Sequence, residues 1–131
     1  MFIVFLFVLQ IYLMNKTNKN PSLIQSGSNV VFYELEKVRF IMKDGAGLDI
    51  DYAYDDLVFS EHGIFIIQFE DKASDIILCW FNKECIDADR LSLLKSLNAS
   101  SILNKMKMIY KGKFEMEQKE NEQIAVNFIE S

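Results

Sequence analysis

Two cysteines and a single histidine are the side chains of this sequence best suited to covalent or acid–base chemistry: Cys79, Cys85 and His62. A cysteine nucleophile needs a histidine base and an orienting carboxylate beside it. Cys79 lies in an apolar run, which favours an inert core thiol, and His62 precedes Gly63 at a predicted hairpin tip, which favours an exposed turn residue. We therefore predict no catalytic residue and no enzymatic activity. A disulfide is not expected either, because an extended strand separates the two cysteines by about 20 Å.

Two groups of charged side chains could bind a metal ion or an anion. The acidic group is Asp44, Asp49, Asp51, Asp55 and Asp56, and the lysine row is Lys105, Lys107, Lys111 and Lys113. The spacing of the acidic group does not match a calcium-binding loop. The aromatic side chains near the lysine row lie on the opposite face of the same predicted strand, so the row lacks the stacking platform of a single-strand nucleic-acid binder. We predict that both groups are solvated surfaces, with no metal and no cofactor.

Composition narrows the function classes further. The chain has 131 residues, of which 50% are hydrophobic, so it can bury the core of one domain but not of two. Its formal net charge of -5 argues against a nucleic-acid partner, because no global positive field would attract phosphate. The sequence contains no phosphate-binding glycine loop, serine nucleophile elbow or zinc-ligand pattern.

Residues 1–14 form an apolar leader, MFIVFLFVLQIYLM. As a helix it would be about 21 Å long, short of the ~30 Å hydrocarbon core of a membrane. It lacks the basic start and the small-residue cleavage pattern of a secretory signal. Three interpretations stay open: the true start is Met14, the leader is a short membrane anchor, or it is a signal peptide. Lys16 and Lys19 come directly after it, so an anchored domain would face the cytoplasm, and we predict a cytoplasmic protein.

The polar residues 15–29 contain the single proline and predict a linker, which leaves one domain over residues 30–131. Apolar residues at helical spacing favour a helix over residues 30–42, although the β-branched and aromatic residues there also fit a strand. Ser28 or Asn29 is expected to cap this helix, and Gly45 is expected to take the left-handed position after its end.

Three strands are predicted between residues 48 and 81. The apolar members of the first are Leu48, Ile50, Tyr52 and Tyr54. Residues 57–59 either continue this strand or begin a second piece. A turn over residues 60–63, in which Gly63 can adopt positive φ, leads to a strand with one apolar face. That face is Phe65, Ile67 and Phe69. The strand over residues 76–81 is apolar on both faces and is therefore expected to be covered on both.

A second helix and two more strands complete the domain. Asp87 or Asp89 is expected to cap the helix, and its predicted buried stripe is Leu91, Leu94, Leu97 and Ser101 or Ile102. The next strand places on one face Met106, Met108, Tyr110, Gly112, Phe114 and Met116. The last has an inner face of Ile124, Val126 and Phe128. The order α-β-β-β-α-β-β predicts an α+β fold, with an antiparallel sheet of about five strands and two helices on one face.

Several stretches in this order resemble the YbjN-like domains and the type III secretion chaperones that share their fold. These stretches are DIDYAYDDLVFSEHGIFIIQF, IILCWFN with CIDADRLSLLKSLN after it, KMKMIYKGKFEM and IAVNFIE. The resemblance implies a compact α+β domain that binds other proteins, often as a dimer, without known catalysis. It supplies no site motif to carry over. Such domains usually end with a further helix, whereas this sequence stops at Ser131, so a sheet face or edge is expected to need a partner.

These observations favour a non-catalytic protein-interaction domain, of chaperone or adaptor type, with a protein partner or a second copy of itself. A small acidic immunity or inhibitor protein is one alternative, in which the acidic group covers a basic toxin site. A membrane-tethered regulator is another, and it requires residues 1–14 to act as a real anchor.

Overall fold

The computed structural model of this protein describes residues 2–6, 29–70, 75–119 and 123–131. The described helices are α1 (Asn29–Ala46) and α2 (Asp87–Leu103), and one 3-10 turn covers Glu61–Gly63. The described strands are β1 (Phe2–Leu6), β2 (Ile50–Tyr54), β3 (Leu57–Ser60), β4 (Phe65–Phe69), β5 (Ile76–Asn82), β6 (Lys107–Gln118) and β7 (Ile124–Glu130). The chain is therefore an α+β protein, as predicted, and residues 57–60 form a separate strand.

The described strands form one mixed sheet with the order β1-β7-β6-β5-β4-β3-β2. Six of them come from residues 50–130, and β1 extends the edge by pairing antiparallel with β7. The prediction of a wholly antiparallel sheet of about five strands is wrong in strand number and in one pairing, because β5 and β6 run parallel. The helix α2 is the reason: its 17 residues span about 25 Å, enough to return the chain to the start of β5.

The predicted first helix is confirmed, but it runs four residues further than the sequence pattern indicated. Gly47, with φ 71°, takes the left-handed position that was expected for Gly45. Gly45 instead lies inside α1, where a Cβ atom would stand 2.9 Å from the Cα atom of Leu97 in α2. The missing side chain therefore lets the two helices approach closely.

Apolar side chains are buried on both faces of the sheet. The helix-side core joins α1 and α2 to one face, and its largest sheet residues are Phe65, Ile67, Ile77 and Phe81. The opposite-face core contains Tyr52, Leu57, Phe59, Ile66, Trp80, Phe114, Val126 and Phe128. The strand β5 supplies both cores, but on the opposite face only Trp80 is buried and Leu78 is half-buried, so the prediction that it is covered on both faces is confirmed only in part.

Two bulges change which face the alternating residues occupy. In β2 the register shifts between Ile50 and Tyr52, so Ile50 packs against the helix-side core while Tyr52 belongs to the opposite-face core. In β6 Tyr110 is opposite Cys79 and Gly112 is opposite Trp80, with one extra residue between them. The single-face predictions for these two strands are therefore wrong, because an extra residue in a ladder reverses the alternation beyond it.

The predicted leader is only partly described. Residues 2–6 pair with β7, and residues 7–28, which hold the rest of the leader and nearly all of the predicted linker, lie outside the described residues. The interpretations of the leader and the domain boundaries stay predictions. Among the described helices, none is both long and apolar enough to cross a membrane.

Gly112 forms the closest backbone contact between β6 and β7. Its φ of 152° lies in a region that favours glycine, and a Cβ atom there would stand 2.2 Å from the carbonyl oxygen of Ile129. The two strands therefore pair at the β6 bulge only because residue 112 has no side chain.

We predict that Gly112→Ala destabilises the fold by about 3 kcal/mol or more, because backbone atoms of β7 must move to admit the new Cβ. Urea denaturation monitored by circular dichroism measures this loss. The matched control is Gly47→Ala, which has positive φ but, apart from its chain neighbours, no atom of the described residues within 4 Å of the added Cβ, and should lose only about 1 kcal/mol. Equal losses at the two positions would contradict the steric explanation.

Candidate functional site

The turn between β3 and β4 is held by a buried serine. Ser60 is 1% exposed, and its hydroxyl accepts hydrogen bonds from the backbone N–H groups of Ile64 and Phe65 at 3.2 and 3.0 Å. It donates to the carbonyl oxygen of Glu61. These bonds stabilise a backbone in which both His62 and Gly63 have positive φ, 65° and 62°. His62 is exposed at this turn, as predicted.

Asn82, the last residue of β5, joins this turn to the connection that leads into α2. Its amide nitrogen donates to the carbonyl oxygen of Gly63 at 2.9 Å, and its amide oxygen accepts from the backbone N–H of Glu84 at 2.9 Å. Its backbone N–H donates to the carbonyl oxygen of Ile64. One side chain therefore fixes the distance between two loops that are about twenty residues apart in sequence.

The start of α2 differs from the sequence expectation. The N-cap residue is Ile86, with φ -63° and ψ 140°, and no side chain in the described part of the chain caps the helix. Asp87 instead lies 3.3 Å from Arg90 and 3.9 Å from Lys113, and Asp89 is in the first turn. Isoleucine is among the least favourable residues at this position, and the side chain of Ile86 is 68% exposed.

The turn after β3, the connection after β5 and the start of α2 form the walls of an open depression of about 630 Å³, which we call the α2 groove. Its lining residues are His62, Gly63, Ile64, Asn82, Glu84, Cys85, Ile86, Asp89, Ser92 and Leu93. The lining combines apolar side chains with one histidine and two carboxylates, and such a mixture is typical of a ligand site. The structure thus brings together His62 and Cys85, two reactive side chains that are distant in the sequence.

The α2 groove is nevertheless poorly suited to cysteine chemistry. Burial raises the pKa of the Cys85 thiol, and Asp89 raises it further, so the reactive thiolate is disfavoured. The Sγ atom points to the carbonyl oxygen of Ile86 at 3.8 Å. Within the described part of the chain, no hydrogen bond joins Cys85 to His62. The pair therefore lacks the base-to-nucleophile contact of a catalytic cysteine.

Cys79 lies in the helix-side core with no exposed surface, as predicted. Burial raises its pKa far above that of an ordinary thiol. Both cysteines are free thiols.

The acidic group is dispersed along α1, the connection after it, β2 and the turn after β2. Asp49 pairs with Arg39 at 3.4 Å, and Asp56 accepts a hydrogen bond from the amide of Gln68 at 2.9 Å. Within residues 35–70, 75–119 and 123–131, no three His, Cys, Asp or Glu side chains are arranged to hold a metal ion. At least two members of the group thus have structural partners.

The lysine row is interrupted by the β6 bulge and does not form one stripe. Lys113 faces α2 and reaches Asp87, whereas Lys111 lies 3.6 Å from Glu130 of β7. The prediction of a single basic face is wrong, because the extra residue in the ladder turns the side chains after it to the other side of the sheet.

The predicted buried stripe of α2 is also partly wrong. Leu97 and Ser101 are buried, but Leu91 and Ile102 are 60% and 64% exposed. The inner face of α2 is centred on Leu97, and the guanidinium group of Arg90 lies 5.4 Å from the ring centre of Tyr110 on the sheet. Leu103, the last residue of α2, is exposed as well, so three large apolar side chains of this helix remain on the surface.

A second depression of about 780 Å³ lies over the opposite-face core and is floored by Trp80 and Phe128. The indole of Trp80 donates to Gln68 at 3.0 Å, and the two aromatic rings lie 4.6 Å apart. These two rings are only 5% and 3% exposed, so they already pack within the protein. Ile129 at the second depression is 43% exposed, whereas Ile86 at the α2 groove is 68% exposed, so the α2 groove is the stronger candidate site.

Comparison with known proteins gives no relative: no family model, no curated protein and no solved structure matches this chain. The resemblance to YbjN-like domains therefore stays a prediction. The function has to be inferred from the groove itself.

Sequence reasoning missed Asn82 and Ile86, which shape the groove. An asparagine that comes directly after an apolar strand is a signal for a loop-fixing side chain. The sequence pointed away from Ile86 as the N-cap, because Asp87 and Asp89 come just after it and aspartate is far more favourable than isoleucine at this position. Only the backbone conformation shows that the N-cap is Ile86, one residue before Asp87 and three before Asp89.

We predict that Cys85 reacts with iodoacetamide more slowly than an ordinary exposed thiol at pH 8, because its raised pKa leaves less thiolate at that pH. Asp89→Asn should accelerate the reaction, since removing the negative charge lowers the pKa of the thiol. Peptide mass spectrometry locates the modified residue, and Cys79 should stay unmodified while the protein is folded. An unchanged rate in Asp89→Asn would contradict the electrostatic effect of this carboxylate.

We also predict that Ile86→Ser stabilises the protein by about 1 kcal/mol, because the serine hydroxyl can accept a hydrogen bond from the first turn of α2. The melting temperature should rise. Leu91→Ser, which removes another exposed apolar side chain from within α2, is the control and should give no gain, since serine is a weaker helix former than leucine. A melting temperature of Ile86→Ser below that of the unaltered protein would refute the capping explanation.

Proposed function

We propose that this chain is a non-catalytic protein-interaction domain whose partner binds in the α2 groove against Ile86. One observation carries the proposal: an isoleucine with 68% of its surface exposed occupies a helix position where a polar cap would stabilise the protein. A local feature that lowers stability without any visible structural gain is typical of a functional site.

The surroundings of Ile86 support binding. Ile64 and Leu93 line the same groove and are half-buried, so a partner's apolar side chain could pack against three aliphatic residues. Full burial of such a side chain contributes about 1.5–3 kcal/mol. Asn82 and Ser60 hold the walls in place, which lowers the entropy lost on binding.

Catalysis is less well supported than binding. A nucleophilic role for Cys85 would require a lowered pKa, and its surroundings raise it. The chaperone or adaptor type, the YbjN-like relationship and a cytoplasmic location belong to the same proposal. A second copy of this chain is a possible partner, and it is an outcome of the test below.

The test uses the full-length chain as bait for a phage-displayed library of random peptides, with affinity measurement of synthetic copies of the selected peptides. We expect Ile86→Ala to weaken binding about tenfold, because it removes aliphatic surface from the contact. Leu91→Ala is the matched control: Leu91 lies about 200° around the helix from Leu93 and should leave binding unchanged.

Selected peptides that bind equally well to the unaltered chain and to Ile86→Ala would refute the α2 groove as the binding site. Failure to select any peptide would count against the function itself, unless the unaltered chain forms a dimer that Ile86→Ala dissociates in analytical ultracentrifugation. That result would identify a second copy as the partner.

A further inference from the structure

The chemistry of the α2 groove restricts which kind of protein segment can bind there. The first N–H groups of a helix have no acceptor within the helix. In α2 these belong to Asp87, Ala88 and Asp89, and no side chain of the described residues caps them. Unused hydrogen-bond donors therefore follow Ile86 directly in the chain, at the end of the groove that Ile86 and Asp89 line.

The charges around these donors select the acceptor. Glu84 and Asp89 are exposed carboxylates of the groove, and neither makes an ion pair within the described residues. Asp87 is also close, although Arg90 and Lys113 compensate its charge. An anionic ligand such as phosphate or a terminal carboxylate would be repelled by this group. A neutral main-chain carbonyl would accept the same hydrogen bonds without that repulsion.

The same two carboxylates favour a cation on the ligand. The cations near the groove pair with other carboxylates: Lys83 pairs with Glu115, and the two cations beside Asp87 pair with Asp87. Negative charge on Glu84 and Asp89 is thus left for a partner, and opposite charges across an interface increase both the association rate and the specificity.

We propose that the α2 groove binds an extended peptide segment in which an apolar side chain is next to lysine or arginine, and that a main-chain carbonyl of this segment caps α2. The inference rests on the proposed function and specifies the partner. The apolar side chain packs against Ile86, Ile64 and Leu93. The basic side chain lies between Glu84 and Asp89, and the carbonyl accepts from the first turn of the helix.

The composition of the selected peptides is the first test. We expect lysine or arginine to be enriched within two residues of an aliphatic or aromatic residue. Binding of a synthetic copy should weaken at least tenfold in the double variant Glu84→Gln/Asp89→Asn, and its dependence on salt should become shallower. The control Glu36→Gln/Asp75→Asn removes the same charge from exposed residues that do not line the groove, and should reduce binding less than threefold.

The capping contact has its own test. Ile86→Ser offers a hydroxyl to the donors that the peptide carbonyl would use, whereas Ile86→Ala does not. We therefore expect the serine variant to bind the peptide at least threefold more weakly than the alanine variant. Hydrogen exchange measured by NMR should also slow at the amides of Ala88 and Asp89 when the peptide binds.

The results separate this inference from the proposed function. Peptides that depend on Ile86 but lack basic residues, or that bind Glu84→Gln/Asp89→Asn unchanged, would overturn the inference and leave the interaction function standing. Peptides enriched in acidic residues would overturn it as well. Unchanged exchange at Ala88 and Asp89 would refute the capping contact, and the absence of any Ile86-dependent peptide would defeat both proposals.

Discussion

The close approach of β6 to β7 at Gly112 is the contact on which the rest of the sheet depends. The strand β6 is the longest of the described strands, with 12 residues, and it must pair in parallel with β5 on one side and antiparallel with β7 on the other. An extra residue before Gly112 reconciles these two ladders. The bulge needs a φ of 152° and space for the carbonyl of Ile129, and glycine meets both requirements.

The same bulge determines how the two cores divide the side chains. Before it, Met108 and Tyr110 pack on the helix side, and after it Phe114 lies in the opposite-face core beside Phe128. Trp80 is opposite the glycine, so its indole can reach across β6 to the ring of Phe128. A strand with uninterrupted alternation would place its aromatic residues on one face only. The bulge thus allows one strand to stabilise both layers.

Periodicity predicted where the helices and most strands lie, since it depends only on the chain's own apolar spacing. It could not show the bulges in β2 and β6, because one added residue leaves the local composition unchanged and reverses only the facing of the residues beyond it. It also missed the parallel pairing of β5 with β6. That pairing depends on where the helix α2 returns the chain, which is a property of the tertiary structure rather than of any one segment. The bulges, rather than the parallel pairing, are why the predicted facing of the side chains is wrong after residue 50 and after residue 110.

The parallel crossover also explains why a groove exists at this end of the sheet and why its chemistry is visible only in three dimensions. The chain leaves β5 at Asn82 and must begin α2 within a few residues, directly beside the turn that holds His62. Two polar side chains hold the loops of this corner: the Ser60 hydroxyl accepts from two N–H groups of the turn, and the Asn82 amide bonds to Gly63 in one loop and Glu84 in the other. The first N–H groups of α2 have no side-chain cap among the described residues, and they are adjacent to the exposed Ile86. The buried Nε atom of Arg90 in the same helix also lacks a hydrogen-bond partner. The proposed function follows from this arrangement, because donors without a cap beside one exposed apolar side chain match a ligand that is both apolar and a hydrogen-bond acceptor.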